Sequence, residues 1–186
     1  MGQAKQHLPV LLVTAMFARD QNELDTGQAA LTAKYGPVEF QSEDLPFDQT
    51  SFYQEEMGQD LIKRFLAFRQ LIPPEELPKI KLMTNQIESD RSVRQAGTAV
   101  RAINLDPGYV TEAKLVLATT KDRDHRIWLS DGIYGEITLY FQRDGWKYSR
   151  WTYPDYRTET VLEFVEKCRL YLRDRYKNEF RGKSSD

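Results

Sequence analysis

The chain has 186 residues, with 26 Lys and Arg against 28 Asp and Glu and a net charge of −2. No global positive field is therefore available to hold a nucleic-acid backbone, and nucleic acid is a disfavoured partner. The single cysteine, Cys168, excludes an internal disulfide framework and any multi-cysteine zinc site. No apolar run approaches the ~20 residues of a membrane span, and the start has neither the basic region nor the cleavage pattern of a signal peptide. The expectation is one cytoplasmic domain over 1–186, with flexible ends at 1–6 and 182–186.

Leu8 to Ala18 (LPVLLVTAMFA) is almost continuously apolar, the pattern of a central strand covered on both faces. A helix follows over Asp20 to Gly36, with Gly36-Pro37 as its stop. Val38 to Gln41 is a second short strand, which completes a strand–helix–strand unit. Ser42 to Gln54 is acidic, aromatic and irregular. From Glu55 to Ile72 the apolar residues Leu61, Phe65, Phe68 and Ile72 recur every three or four positions, which predicts a helix ended by Pro73-Pro74. Lys79 to Thr84 reads as a strand or extended segment, and Ser89 to Thr98 as a polar loop.

Val100 to Leu105 is a strand, and Asp106-Pro107-Gly108 carries strong turn chemistry, because Pro presets φ and Gly accepts positive φ. Thr111 can cap a short helix over Glu112 to Ala118, although so short an apolar segment fits a strand equally. Two strands, His125 to Leu129 and Ile133 to Phe141, flank a Ser130-Asp131-Gly132 hairpin loop. Alternation puts Ile133, Gly135, Ile137, Leu139 and Phe141 on one face of the second strand and Tyr134, Glu136, Thr138 and Tyr140 on the other. Arg143-Asp144-Gly145 leads into a further strand, Trp146 to Trp151. Thr160 to Tyr176 is the closing helix, buried through Val161, Phe164, Val165, Cys168 and Leu172. Cys168 is thus a small core residue. The order predicts an α+β fold: a mixed, largely antiparallel sheet with helices packed on it.

The phrases NLDPGY (104–109), KLVLATTKDRDHRIWL (114–129), GIYGEITLYF (132–141) and WTYPDY (151–156), together with LPFDQTSFYQEEMG (45–58) and KLMTNQIE (81–88), resemble the prokaryotic domain-of-unknown-function family DUF4416 in order along nearly the whole chain. The resemblance implies no biochemical role. Some members are loosely labelled GTP-binding, but the chain has no G-x-x-x-x-G-K-[ST] phosphate loop. In Thr120-Lys121-Asp122 the Asp comes one position too early for a guanine-reading motif.

Five constellations can carry chemistry, each beside an ordinary structural reading. Asn104, Asp106 and Tyr109 surround a rigid turn at a sheet edge, where a carboxylate suits metal binding or general-base work; the alternative is an Asp bonding its own turn. Thr119 to Arg126 brings Lys121, Arg123, His125 and Arg126 beside two hydroxyls, fit for a phosphate or carboxylate, or simply a solvated loop. Glu136 interrupts an apolar strand and, if buried, needs a cation such as Lys114 or Arg126, or pairs with Asp106 as an acid/base or metal site. Tyr153 and Asp155, within Trp151 to Tyr156, wall a pocket or plug the sheet end. Phe47, Asp48, Phe52, Tyr53, Glu56 and Met57 form a lid or partner surface, or an irregular connection.

The first reading is a binder of, or enzyme on, a small anionic ligand, phosphorylated or nucleotide-like. Asp106, His125 and Glu136 are its catalytic candidates. Asn104, Tyr109, Lys114, Lys121, Arg126, Tyr153 and Asp155 are its ligand-binding candidates. A divalent cation such as magnesium, held by one or two carboxylates, is compatible with this set. The site requires at least four of Asp106, Glu136, Asp155, Lys114, Lys121, His125 and Arg126 in one concavity. The alternative is a non-catalytic interaction or homodimerising domain using an exposed aromatic surface. RNA binding through Tyr and Trp beside Arg123, Arg126 and Arg150 is a third reading, disfavoured by the charge.

Overall fold

The computed structural model of the chain describes residues 2–48, 57–95 and 98–180. Its backbone runs β1 (Val10–Ala18), α1 (Gln21–Tyr35), β2 (Val38–Gln41), β3 (Leu45–Phe47), β4 (Leu61–Ile72), a 3-10 turn (Pro74–Glu76), α2 (Leu77–Asp90) and the hairpin β5 (Val93–Gln95)/β6 (Thr98–Val100). It continues through β7 (Ile103–Val110), β8 (Lys114–Thr119), β9 (Arg126–Ser130), β10 (Ile133–Gln142), β11 (Gly145–Tyr148), a 3-10 turn (Pro154–Arg157) and α3 (Glu159–Glu179). A nine-stranded sheet has the order β11-β10-β8-β7-β1-β4-β2, with β3 also on β4 and β9 also on β10. Every pairing is antiparallel. The fold is α+β.

The centre of this sheet explains the patterning. All nine residues of β1 are buried. Its Val10, Leu12, Met16 and Ala18 pack under α1 and α2, whereas Leu11, Val13 and Ala15 pack under α3. A strand covered on both faces is apolar almost throughout, Thr14 being the exception here. The unit β1-α1-β2 exists, but β4 lies between its two strands. With α1 joining β1 to β2 and α2 joining β4 to β7, the order β7-β1-β4-β2 is a split β-α-β-β-α-β arrangement. The Asp20 carboxylate caps α1 by accepting from the Glu23 amide at 3.0 Å, and Gly36, at φ 84°, ends it.

Two expected elements exchange type. The helix expected up to Ile72 is replaced from Leu61 on: Leu61–Ile72 is strand β4. Ile62, Leu66, Phe68 and Ile72 face α1 and α2, and Phe65 and Ala67 face α3. The three-to-four spacing arises because both faces are buried, which hides a period of two. Conversely, Lys79 to Thr84 lies inside helix α2, not a strand. The polar stretch after it is the helix end plus the β5/β6 hairpin.

Asp106-Pro107-Gly108 is not a turn. All three lie within β7, opposite Ala15, Thr14 and Val13 of the central strand β1. Lys114–Thr119 resolves as strand β8, not a helix. Thr111 serves its start: the hydroxyl accepts from the amides of Ala113 and Lys114, both at 3.1 Å. The β9–β10 hairpin turns at Asp131 and Gly132, with φ of 52° and 78°. A bulge in β10 between Ile137 and Leu139 breaks the expected alternation. Glu136 and Leu139 consequently stand opposite Leu117 and Leu115, on one face, and Ile137 turns outward. The stripe Val161, Phe164, Val165, Cys168 and Leu172 of α3 is buried as the spacing predicts.

Phe52, Tyr53, Glu56 and the tail at 182–186 lie outside the described residues. Phe47 and Met57 are buried with Phe17 and Leu61. Among the described residues, no helix is long and apolar enough to cross a membrane.

Candidate functional site

Pro107 has no amide hydrogen, and β8 pairs with β7 only from Gly108 to Val110. Before that point the two strands part. The split is a cleft of about 190 Å³, many times the ~10–15 Å³ that one water needs. Helix α2 lines it with Lys81, Asn85 and Glu88, and β7 with Asn104 and Asp106. The end of β8 and the following loop contribute Thr119, Thr120 and Lys121, and Arg126 and Glu136 come from β9 and β10. Arg101, Leu117, Ala118, Phe17, Phe47, Lys63 and the segment Tyr153 to Tyr156 complete the wall.

Four ion pairs organise this wall. Asp106 accepts from Lys81 Nζ at 3.2 Å and from Asn104 Nδ2 at 2.8 Å, while Lys81 also donates to the Leu105 carbonyl at 2.8 Å. Glu88 accepts from the Leu105 amide at 2.6 Å and from Arg101 at 3.3 Å; Arg101 further donates to Asn104 Oδ1 at 2.9 Å. Burial pushes the Glu88 carboxyl above its ordinary pKa despite nearby Lys81 and Arg101. Across the cleft, the Arg126 Nε donates to Glu136 at 2.8 Å, and Arg126 also donates to the Lys121 carbonyl at 3.0 Å. The fourth pair joins Lys63 on β4 to Asp155 in the last 3-10 turn.

Of the candidates read from sequence, Asn104, Asp106, Lys121, Arg126, Glu136, Tyr153 and Asp155 line the cleft. His125 stands behind the wall: Nε2 lies 3.2 Å from Glu136, Nδ1 lies 2.9 Å from Asp124, and the ring stacks on Trp151 at 5.0 Å. It orients Glu136 and is not among the lining residues. Tyr109 packs into the apolar clusters on the α1–α2 side of the sheet. Lys114 stands at the far end of β8 opposite Tyr140. Glu136 is buried, and its cation is Arg126, not Lys114.

Lys63, Lys81, Asn85, Glu88 and Arg101 were missed. Lys63 and Arg64 are two adjacent charges inside an apolar run, a signal in its own right. Lys81, Asn85 and Glu88 fall at i, i+4 and i+7, one polar stripe of a helix.

Among the described residues, no group of three or more His, Cys, Asp or Glu is gathered to hold a metal ion. The lining acids Glu88, Asp106, Glu136 and Asp155 each face a cation instead. What the arrangement offers is five cationic and four acidic side chains beside aromatic walls. It suits recognition of a small charged molecule and proton transfer by positioned carboxylates.

The model of the family described as Domain of unknown function (DUF4416) matches residues 8–171. The chain belongs to that family. All of the lining residues fall within the matched DUF4416 region. Neither the curated proteins nor the solved structures provide a match.

Proposed function

We propose that this DUF4416 domain binds a small anionic ligand, phosphorylated or carboxylated, in the cleft between β7 and β8. One observation carries the reading. Charged side chains from β4, α2, β7, β9, β10 and the 154–157 turn converge on a single concavity. Folding alone does not require so many charges at one place, since gathering and desolvating them is costly. Lys63, Lys81, Arg101, Lys121 and Arg126 outnumber the lining acids by one, which favours an anion. In this reading Asp106 and Glu136 are the groups able to exchange protons with the ligand, and His125 positions Glu136.

A thermal-shift series with inorganic phosphate, nucleotides, phosphorylated sugars and small carboxylic acids tests this. At about 100 times its dissociation constant, a ligand adds roughly 2.7 kcal/mol of stability. The shift is expected to shrink in Lys121→Ala, whose side chain is at the exposed rim. The reading fails if no anion raises the melting temperature, or if the shift persists unchanged in both Lys121→Ala and Arg126→Lys.

An interaction surface is the second reading, and it rests on β9. Among the described residues this strand pairs only with β10, and its Ile127 and Trp128 are 68 % and 59 % exposed. An open edge bearing two large apolar side chains is a site for strand addition by a second copy. Sedimentation of the wild type against Trp128→Lys checks it: a dimer lost on substitution supports the surface, and a monomer at all concentrations removes it.

A further inference from the structure

Lys63 and Lys81 are the buried lysines of the described residues, and the cleft treats them differently. Lys81 is held by the Leu105 carbonyl and Asp106 at 2.8 and 3.2 Å. Lys63 donates to Asp155, and aromatic rings cover its other sides: the centroids of Tyr156, Phe47, Phe65 and Phe17 lie 4.6, 4.8, 5.2 and 5.8 Å from Nζ. Both lysines face a carboxylate that can relay a proton, but Lys81 is further tied down by the Leu105 carbonyl, whereas Lys63 sits among aromatic rings. A lysine shielded from water beside a carboxylate is arranged as a nucleophile toward carbonyl carbon. The rings favour a cation at Nζ, the starting ammonium and the product iminium alike, so the positive charge stays where the site holds it.

We propose that Lys63 forms an imine with a small 2-oxo acid. The proposal rests on the anion-binding reading of the cleft and names the ligand class. A single carboxylate balances the one-charge excess of lining cations. In the reaction, Asp155 takes a proton from the Lys63 ammonium, and the freed nitrogen attacks the carbonyl carbon. A C–N bond forms, and the carbonyl π pair moves to oxygen. That oxygen gains one proton from the attacking nitrogen and a second from Asp155, then leaves as water. The nitrogen lone pair closes the C=N bond. Ketone or aldehyde plus ammonium has become iminium plus water, Asp155 is a carboxylate again, and no oxidant or reductant is needed.

The test incubates the full chain with pyruvate or glyoxylate and sodium cyanoborohydride, which reduces C=N to a stable secondary amine, followed by peptide mapping by mass spectrometry. Thermal shifts are recorded in parallel with the same acids and with their carbonyl-free counterparts lactate and glycolate. The expected result is an adduct on Lys63, about tenfold or more over any other lysine, with no adduct from lactate. Lys63→Arg is expected to abolish the adduct while keeping a thermal shift. If that variant does not fold, the wild-type map decides alone. A thermal shift without an adduct overturns the imine and leaves the anion site standing. Absence of both shift and adduct overturns the 2-oxo acid as ligand and the imine with it, while the anion-binding reading falls only if phosphate, nucleotides and phosphorylated sugars also give no shift. An adduct centred on another lysine removes Lys63 from the role.

Discussion

Pro107 lies directly across from Thr14, in the middle of a nine-stranded sheet. Proline is normally kept out of central strands because it cannot donate to the ladder. Here the β7–β8 ladder begins one residue later, at Gly108, and the side chains of Asn104 and Asp106 face the resulting gap.

Gly108 is where the two strands close again, and it tolerates no side chain. A Cβ there meets the Val116 carbonyl oxygen at 2.3 Å and the Leu117 Cδ2 at 2.7 Å. Gly108→Ala is expected to destabilise the protein by about 1–3 kcal/mol, as overpacking does. A urea denaturation curve measures it, and an unchanged midpoint would show that the junction yields freely.

The Thr14 hydroxyl is buried and has no hydrogen-bond partner among the described residues. Removing a polar group left in that state relieves its desolvation penalty. Thr14→Val is therefore expected to raise stability by about 1 kcal/mol, read as a higher denaturation midpoint at an unchanged slope.

Arg126 and Glu136 are 8 % and 5 % exposed at their side chains. Arg126→Met leaves Glu136 buried without its guanidinium partner, and about 3–5 kcal/mol should be lost. The double change Arg126→Met with Glu136→Leu should recover most of that. A double variant no more stable than the single one would refute the pairing. Both variants should lose any ligand-induced thermal shift.

Two carboxyls tilt the pH dependence in opposite senses. Hydrogen bonding from Arg64 holds Asp44 below the usual carboxylate range. Its contribution is thus present above the unfolded pKa of ~3.9 and lost as pH falls through the lower folded value. Burial raises Glu88, so its contribution is full below the unfolded value of ~4.3 and declines as pH rises through the folded one. Urea curves from acidic to neutral pH should show Asp44→Asn flattening the acid limb. In Glu88→Gln, the decline above ~4.3 should disappear.

Elements with one unambiguous cue were legible in the sequence. The nearly all-apolar β1, the capped α1, the Asp131-Gly132 hairpin and the stripe of α3 each had local patterns that tertiary packing did not override. β4 and α2 were misread for complementary reasons. Burial of both faces gave β4 a spurious helical spacing, and the polar stripe Lys81, Asn85 and Glu88 of α2 put polar residues where its packing face would have been recognised. The turn chemistry of Asp106-Pro107-Gly108 was real but served a different end, stopping a ladder instead of reversing the chain. Half of the candidate wall was visible because Asp106, Lys121, Arg126, Glu136 and Asp155 lie in segments of conspicuous composition. Apart from Arg101, just before β7, the rest sits on the two elements whose type was exchanged, and Lys63 and Lys81 could not be placed until the strand and the helix were.

The ends of this architecture meet. The Tyr176 hydroxyl on α3 donates to the Pro9 carbonyl just before β1 at 2.7 Å, and α3 covers the central strand. Neighbours so far apart along the chain impose slow, late-closing assembly. During synthesis, β1 must wait for nearly everything downstream before its second face is covered, leaving an apolar strand edge and face for chaperones to shield.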